Sequence, residues 1–268
     1  MNSKNGIRIA SMNLYCNCLP GMPPIGRTTL EQISVLKALN ADVIIAQEQS
    51  GRQLDFYTSM LGPEVAFRQQ RYFGDPDLDT NQGVAVFSNE PIARERSMSL
   101  GFLHADGVEH VAAFKGLGRE VQAVVQAAEI ETPEGNFWAV TAHMAWTEAA
   151  HKGLQPHQIK ALEKLTVFLE ELRATGLPIV LGADFNGLLK DAAPLLPDWM
   201  RCLITDAQIT EIGTTIDSVD PERVTKMAGF GVFIDGVFAS PEVRLLKPVK
   251  VVRGLSDHVG FLFEIEIG

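Results

Sequence analysis

Four consecutive apolar residues, Val43-Ile44-Ile45-Ala46, run directly into the polar stretch Gln47-Glu48-Gln49-Ser50. The run is short and rich in β-branched side chains, so it reads as a strand buried on both faces. Such a strand needs a layer above it and a layer below it. The same signature recurs along the chain. Residues 7–14 form a first strand that carries Asn13 near its end, and residues 177–182 form another buried strand, followed by Asp184 and Asn186. Residues 83–88 make a further strand closed by Asn89-Glu90-Pro91. Residues 121–130 and 137–141 flank Thr132-Pro133-Glu134-Gly135-Asn136, a strong hairpin signal. Segments 233–238, 243–252 and 259–267 continue the strand pattern to the end of the chain.

Helical periodicity appears between these runs. Thr28 or Thr29 caps a helix bearing Leu30, Ile33, Leu36 and Leu39 and ending at Asn40. A second helix covers 51–61 and stops at Gly62-Pro63. The longest spans 156–175, with Ile159, Leu162, Leu165, Phe168, Leu169 and Leu172 on one stripe and Gly176 as its stop. Strands outnumber helices, and hairpins mix with strand–helix–strand units. That combination predicts a mixed-sheet α/β sandwich. No linker or internal repeat interrupts the 268 residues, so a single domain over 1–268 is expected.

Charge narrows the function classes. Lys plus Arg is 23 and Asp plus Glu is 33, a formal charge of −10. A basic module that coats nucleic acid is excluded as the first reading, because duplex binding depends on cationic contacts to phosphate. An acidic chain still attacks a phosphate ester when a metal ion inverts the sign locally. Cys16, Cys18 and Cys202 cannot build a disulfide framework and read as buried or incidental thiols. Arg8, Asn13 and Asn17 interrupt any apolar leader, and no apolar run approaches the ~18 residues of a membrane span. A reducing, cytoplasmic location is the expectation.

Polar residues recur where the apolar runs stop. Asn13 and Glu48 end the first two strands, His143 follows Ala139-Val140-Thr141, and Asp184 and Asn186 follow Ile179-Val180-Leu181-Gly182. Asp235 lies within Phe233-Ile234-Asp235-Gly236-Val237-Phe238, and Asp257-His258 precedes the last strand. In layered α/β folds the loops at one end of the strands converge on a common crevice. The residue types suit one task there. Carboxylates with water and a substrate oxygen make a hard-oxygen site that favours Mg²⁺ or Mn²⁺ over zinc. Asp235 and His258 can pair, the carboxylate fixing the imidazole tautomer. Asp184 and Asn186 share a face while Phe185 turns to the core. Singly, each has a blander reading: Asn13 and Asn186 as turn or cap residues, Glu48 as a loop cap, His143 as a satisfied imidazole, Asp257-His258 as a turn. Asp235 is the hardest to dismiss, since an unpaired buried carboxylate is costly. His104, His110, His151 and His157 read as surface residues.

Taken in order, these residues resemble the endonuclease/exonuclease/phosphatase superfamily, the DNase I-like fold, nearly end to end. Ser11-Met12-Asn13 resembles its first-strand Asn motif and Gln47-Glu48 its Q-E metal motif. The strand from Gly83 to Ser88 and the following Pro91-Ile92 resemble a second-sheet strand and its Pro. Thr141-Ala142-His143-Met144 is similar to T-x-H-L, and Gly182-Ala183-Asp184-Phe185-Asn186 to G-D-F-N. Ile234-Asp235-Gly236-Val237-Phe238 resembles I-D-Y-I-F, and Ser256-Asp257-His258 the terminal S-D-H. Met12 stands where Trp or Tyr is frequent, Gly236 where Tyr is usual, and Gly260 where many members carry Pro; none removes a catalytic group.

The resemblance implies a four-layer α/β sandwich, with two mixed β-sheets packed face to face and helices outside. It implies a Mg²⁺-dependent phosphoesterase, with Mn²⁺ as a substitute, in which water attacks phosphorus in line. Glu48 would chiefly hold the ion, assisted by Asn13 and Asp257. Asp184 would position and deprotonate water, Asn186 would orient Asp184, and Asp235 would pair with His258. His143 and His258 would stabilise the developing phosphoryl charge. Candidate substrate walls are residues 15–27, 68–82 and 212–231; in the second, Arg68 and Arg71 could contact a phosphate, with Asp75, Asp77 and Asp79 following closely in sequence. The expected substrate is a small or flexible phosphodiester or phosphomonoester. A nuclease acting on DNA or RNA and an inactive binding module of the same fold are the competing readings.

Overall fold

Alternation along each strand assigns neighbouring side chains to opposite faces. In β1 (Ile7–Asn13), Ile7 and Ile9 enter one core while Ala10 and Met12 enter another. β2 (Val43–Ser50) divides in the same way, with Val43 and Ile45 on one side and Ile44 and Ala46 on the other. The structure is a computed structural model that describes residues 6–14, 29–70, 82–104, 120–145, 153–217, 225, 229 and 231–268.

The first sheet adds β3 (Glu64–Gln69), β4 (Gln82–Ser88), β11 (Val243–Leu245), β12 (Lys250–Val252) and β13 (Gly260–Ile267). Its seven strands run β11-β13-β1-β2-β4-β3, with β12 also on β13. The second contains β5 (Ile92–His104), β6 (Glu120–Thr132), β7 (Gly135–His143), β8 (Ile179–Asp184), β9 (Arg201–Cys202) and β10 (Asp235–Ala239). Its six strands are ordered β5-β6-β7-β8-β10-β9. β1 and β2 are parallel, as are β7 and β8, while the remaining pairs are antiparallel, so both sheets are mixed. The main core lies between the sheets, where Ile9, Val43, Ile45 and Val86 meet Ala139, Val180 and Val237.

Helices close the outer faces. α1 (Thr29–Ala38) and α2 (Leu54–Leu61) bring Ile33, Leu36 and Tyr57 onto the outer side of the first sheet. α3 (Pro156–Arg173) packs Leu162, Leu165, Phe168, Leu169 and Leu172 onto the second sheet, and Trp138 Nε1 donates to Thr175 Oγ1 just beyond it at 2.9 Å. Two short helices follow, α4 (Leu189–Ala192) and α5 (Asp206–Ile212). The result is the expected α/β sandwich of four layers.

Several local expectations need correction. Leu30 is 60% exposed, and the buried face of α1 is completed by Gln32. The second helix starts with a 3-10 turn, Gly51–Gln53, before α2. The stretch 243–252 splits into β11 and β12, because Pro248 between them has no N–H for the ladder. His157 is half-buried instead of lying on the surface. Cys202 is a free, half-buried thiol. Residues 15–27, Cys16, Cys18, Arg71, Asp75, Asp77, Asp79, His110 and His151 lie outside the described residues, as do most of 212–231 and the side chain of His104. Among the described residues no helix is long and apolar enough to cross a membrane.

Candidate active site

The inter-sheet core turns polar at one end. On β1 the inward series Ile7, Ile9, Ser11 ends at Asn13, and on β2 the inward Val43 and Ile45 lead to Gln47. Gln47 Nε2 reaches across to Thr141 Oγ1 at 3.1 Å and to the Gly182 carbonyl at 3.3 Å. The sheets approach closely at Gly182, where a Cβ would stand 2.1 Å from Ser11 Oγ. Glycine there lets β8 approach β1 and carries Asp184 to Asn13. Strand register does the rest. His143 on β7 pairs with Asp184 on β8, and Asp184 pairs with Asp235 on β10. Three adjacent strands therefore present His143, Asp184 and Asp235 in one row.

Glu48 arrives by a different device. The β2–β4 ladder shifts register between Ala46 and Gln49, and Glu48 there adopts a left-handed backbone with φ 52°. Asn186 is also left-handed, at φ 47°. Asparagine tolerates this region, whereas glutamate visits it rarely, so the strain at Glu48 marks an imposed orientation.

The side chains form one network. Asn13 Nδ2 donates to Glu48 Oε1 at 3.0 Å and to Asp184 Oδ2 at 2.9 Å. The Asn186 backbone N–H donates to Asp184 Oδ1 at 2.8 Å. Asn186 Nδ2 lies 3.0 Å from His143 Nε2 and donates to the Met144 carbonyl at 2.9 Å. Gln158, in the first turn of α3, donates Nε2 to the Asn186 carbonyl at 2.7 Å. His258 Nδ1 sits 2.8 Å from Asp235 Oδ2 and 3.9 Å from Asp184 Oδ2. Asp257 Oδ1 is 3.9 Å from His258 Nε2. Glu48 Oε1 and Asp184 Oδ2 each stand 3.7 Å from His143 Nε2.

Burial and like charge set the electrostatics. Burial, reinforced by the Asp257 charge, pushes the Glu48 carboxyl up to about 7 despite the Asn13 hydrogen bond. Burial and then Asp235 push Asp184 upward as well. For His258 burial acts downward, but the charges of Asp235, Asp257 and Asp184 outweigh it and hold the imidazolium well above its ordinary range. Burial lowers His143. Two groups of ligand atoms lie within 4.8 Å of one another: Glu48 with His143 and Asp184, and Asp184 with Asp235 and His258. Carboxylates crowded until they resist ionisation fit a hard divalent cation, which would relieve their repulsion.

Asn13, Glu48, His143, Asp184, Asn186, Asp235 and His258 thus meet in one place. Asp257 joins them through His258 and through its charge on Glu48. Sequence reading missed Gln70, whose Oε1 lies 2.8 Å from His143 Nδ1. Gln70 follows β3, an edge strand with no apolar run to announce it. Gln32 was missed too: its Nε2 donates to the Leu14 carbonyl at 3.0 Å and to the Leu255 carbonyl at 2.9 Å. It therefore ties the residue after Asn13 to the loop that carries Asp257 and His258.

Residues 11–258 match the model of the Endonuclease/Exonuclease/phosphatase family. Among solved structures, an endonuclease/exonuclease/phosphatase from Bacteroides vulgatus is similar with a TM-score of 0.65 at 15% identity, covering 99% of this chain and 100% of that one. The catalytic domain of human nocturnin, with bound sulfate, gives 0.62 at 14% identity over 98% of this chain and 95% of its own. A mannosyl-6-phosphatase from Bacteroides thetaiotaomicron gives 0.60 at 15% identity over 97% and 99%. No curated protein matches the sequence.

Proposed function

Because the chain belongs to the endonuclease/exonuclease/phosphatase family, we propose that it is a Mg²⁺-dependent phosphoesterase acting, as a single domain over residues 1–268, on a small or flexible phosphate ester. The observation that carries this reading is the row of His143, Asp184 and Asp235, closed from the other sheet by Asn13 and Glu48. Glu48, with Asn13 and Asp257, would hold the ion, which supplies Lewis-acid stabilisation of phosphoryl charge. Asp184 is gripped at Oδ2 by Asn13 and at Oδ1 by the Asn186 N–H, so its carboxylate is oriented before substrate arrives. Burial and the Asp235 charge shift it upward, which makes it a stronger base for a proton of the attacking water. Asp235 accepts from His258 Nδ1–H and so keeps a cationic imidazole whose Nε2–H can donate to a phosphoryl oxygen.

The neighbours differ in their activities, so the choice of substrate rests on charge. A formal −10 opposes the approach of a polyanionic duplex, whereas one phosphate needs only the ion and a few donors. The experiment compares specific activity on bis-p-nitrophenyl phosphate, p-nitrophenyl phosphate, an inositol phosphate panel and supercoiled plasmid at low salt with Mg²⁺. Faster turnover of a small ester is expected. Efficient plasmid nicking with negligible small-ester turnover would make the protein a nuclease instead.

A further inference from the structure

The two histidines of the site are held by chemically different partners. His258 Nδ1 faces a carboxylate, Asp235, at 2.8 Å, and His143 Nδ1 faces an amide oxygen, Gln70 Oε1, also at 2.8 Å. A carboxylate favours an imidazolium, while an amide oxygen needs only one N–H donor opposite it. Which proton His143 carries follows from the two amides that flank its ring.

Each amide is oriented by a backbone carbonyl. Gln70 Nε2 donates to the Gln122 carbonyl on β6, so Oε1 must be the atom turned to His143. Reversing that amide would set Oε1 against a carbonyl oxygen. Asn186 Nδ2 donates to the Met144 carbonyl at 2.9 Å, and the same nitrogen faces His143 Nε2 at 3.0 Å. A proton on Nε2 would oppose donor to donor, whereas a lone pair there accepts the second Asn186 N–H. Both ends of the ring therefore demand the same form, with the proton on Nδ1 and the lone pair on Nε2.

We propose that Gln70 is a positioning residue that fixes His143 as the neutral Nδ1–H tautomer, so that Nε2 anchors Asn186 as an acceptor. The consequence rests on the phosphoesterase reading of this site. His143 then does not donate to phosphoryl oxygens, a role different from the one expected for it from the sequence, and His258 is left as the imidazole donor. With both Asn186 amide protons engaged, Oδ1 is the atom that can accept from a water beside Asp184. Gln70 acts on the chemistry through His143 and Asn186, across the gap between β3 and β6.

The test reads the tautomer directly. Protein labelled with ¹⁵N-histidine is examined by two-bond ¹H–¹⁵N correlation at neutral pH, with His143 identified through H143Q. The expected spectrum shows a protonated Nδ1 and a bare Nε2. Gln70→Met fills similar volume without an acceptor and should mix the tautomers and lower kcat about tenfold with little change in KM. Gln70→Glu, which sets a carboxylate opposite Nδ1, should instead favour the imidazolium, with protons on both ring nitrogens. A wild-type His143 protonated at Nε2, alone or together with Nδ1, or a Gln70→Met protein with unchanged tautomer and kcat, would overturn the proposal. A protein that hydrolysed no phosphate ester yet showed the Nδ1–H form would support Gln70's placement and sink the functional reading, so the two failures are distinguishable.

Discussion

At the scale of single residues, Glu48 combines backbone strain with a displaced ionisation. Its left-handed φ of 52° turns the carboxyl to the Nδ2 of Asn13, and burial with the Asp257 charge raises it to about 7. The sign of the pH effect follows. The folded metal-free protein keeps the Glu48 proton up to about 7, while the unfolded chain releases it near 4.5, so this group makes the metal-free fold less stable as pH rises across that interval. A divalent ion must displace the proton, so affinity should weaken about tenfold for each pH unit below that value and level off above it. Calorimetric Mn²⁺ titrations of wild type and Glu48→Gln across this range check the point. The variant should bind weakly with no such slope; equal affinity in both proteins would remove Glu48 from the site. Nothing in the primary structure signals the shift, because it arises from residues distant in the chain.

At the scale of elements, the most legible strands were those with apolar runs and two covered faces. β2 and β8 could be read from Val43-Ile44-Ile45-Ala46 and Ile179-Val180-Leu181, and their polar ends pointed to Glu48 and Asp184. β3 and β5 were not recognised. They are the edges of their sheets, and β5 carries Arg94-Glu95-Arg96, so neither displays the continuous apolar run of a central strand. That is also why Gln70 escaped notice. Helical spacing found α1 but placed Leu30 inside, whereas Gln32 is the residue at 2% exposure. A buried amide on a helix has meaning only once its partners are known: the Leu14 and Leu255 carbonyls and the Tyr57 hydroxyl, which donates to Oε1 at 2.9 Å. Gln32→Leu would strand these groups, at about 1–3 kcal/mol each before relaxation. Thermal melting should fall by about 5–10 °C, and Mn²⁺ affinity should fall with it, because Leu255 leads into Asp257. Unchanged melting and unchanged affinity would show that α1 does not brace the site.

At the scale of the whole molecule, two mixed sheets pack over an apolar core whose one end becomes polar within a few residues. Ser11 and Asn13 continue the inward face of Ile7 and Ile9, and Thr141 and His143 do the same on β7. The sandwich thereby holds Glu48, Asp184, Asp235 and Asp257 close together despite an overall charge of −10. Such an arrangement accumulates repulsion that a hard cation would offset. Sequence alone could list these residues; their contacts depend on a register of β7, β8 and β10 that no single segment encodes. The most direct measurement is the initial rate of phosphate-ester hydrolysis, on bis-p-nitrophenyl and p-nitrophenyl phosphate, by purified protein after EDTA treatment and again after Mg²⁺ or Mn²⁺ is returned. The expected result is activity abolished by EDTA, restored by the ion, and reduced by on the order of a hundredfold or more in Asp184→Asn. Full activity in EDTA, or no hydrolysis of either ester with either ion, would contradict a metal-dependent phosphoesterase acting on small substrates.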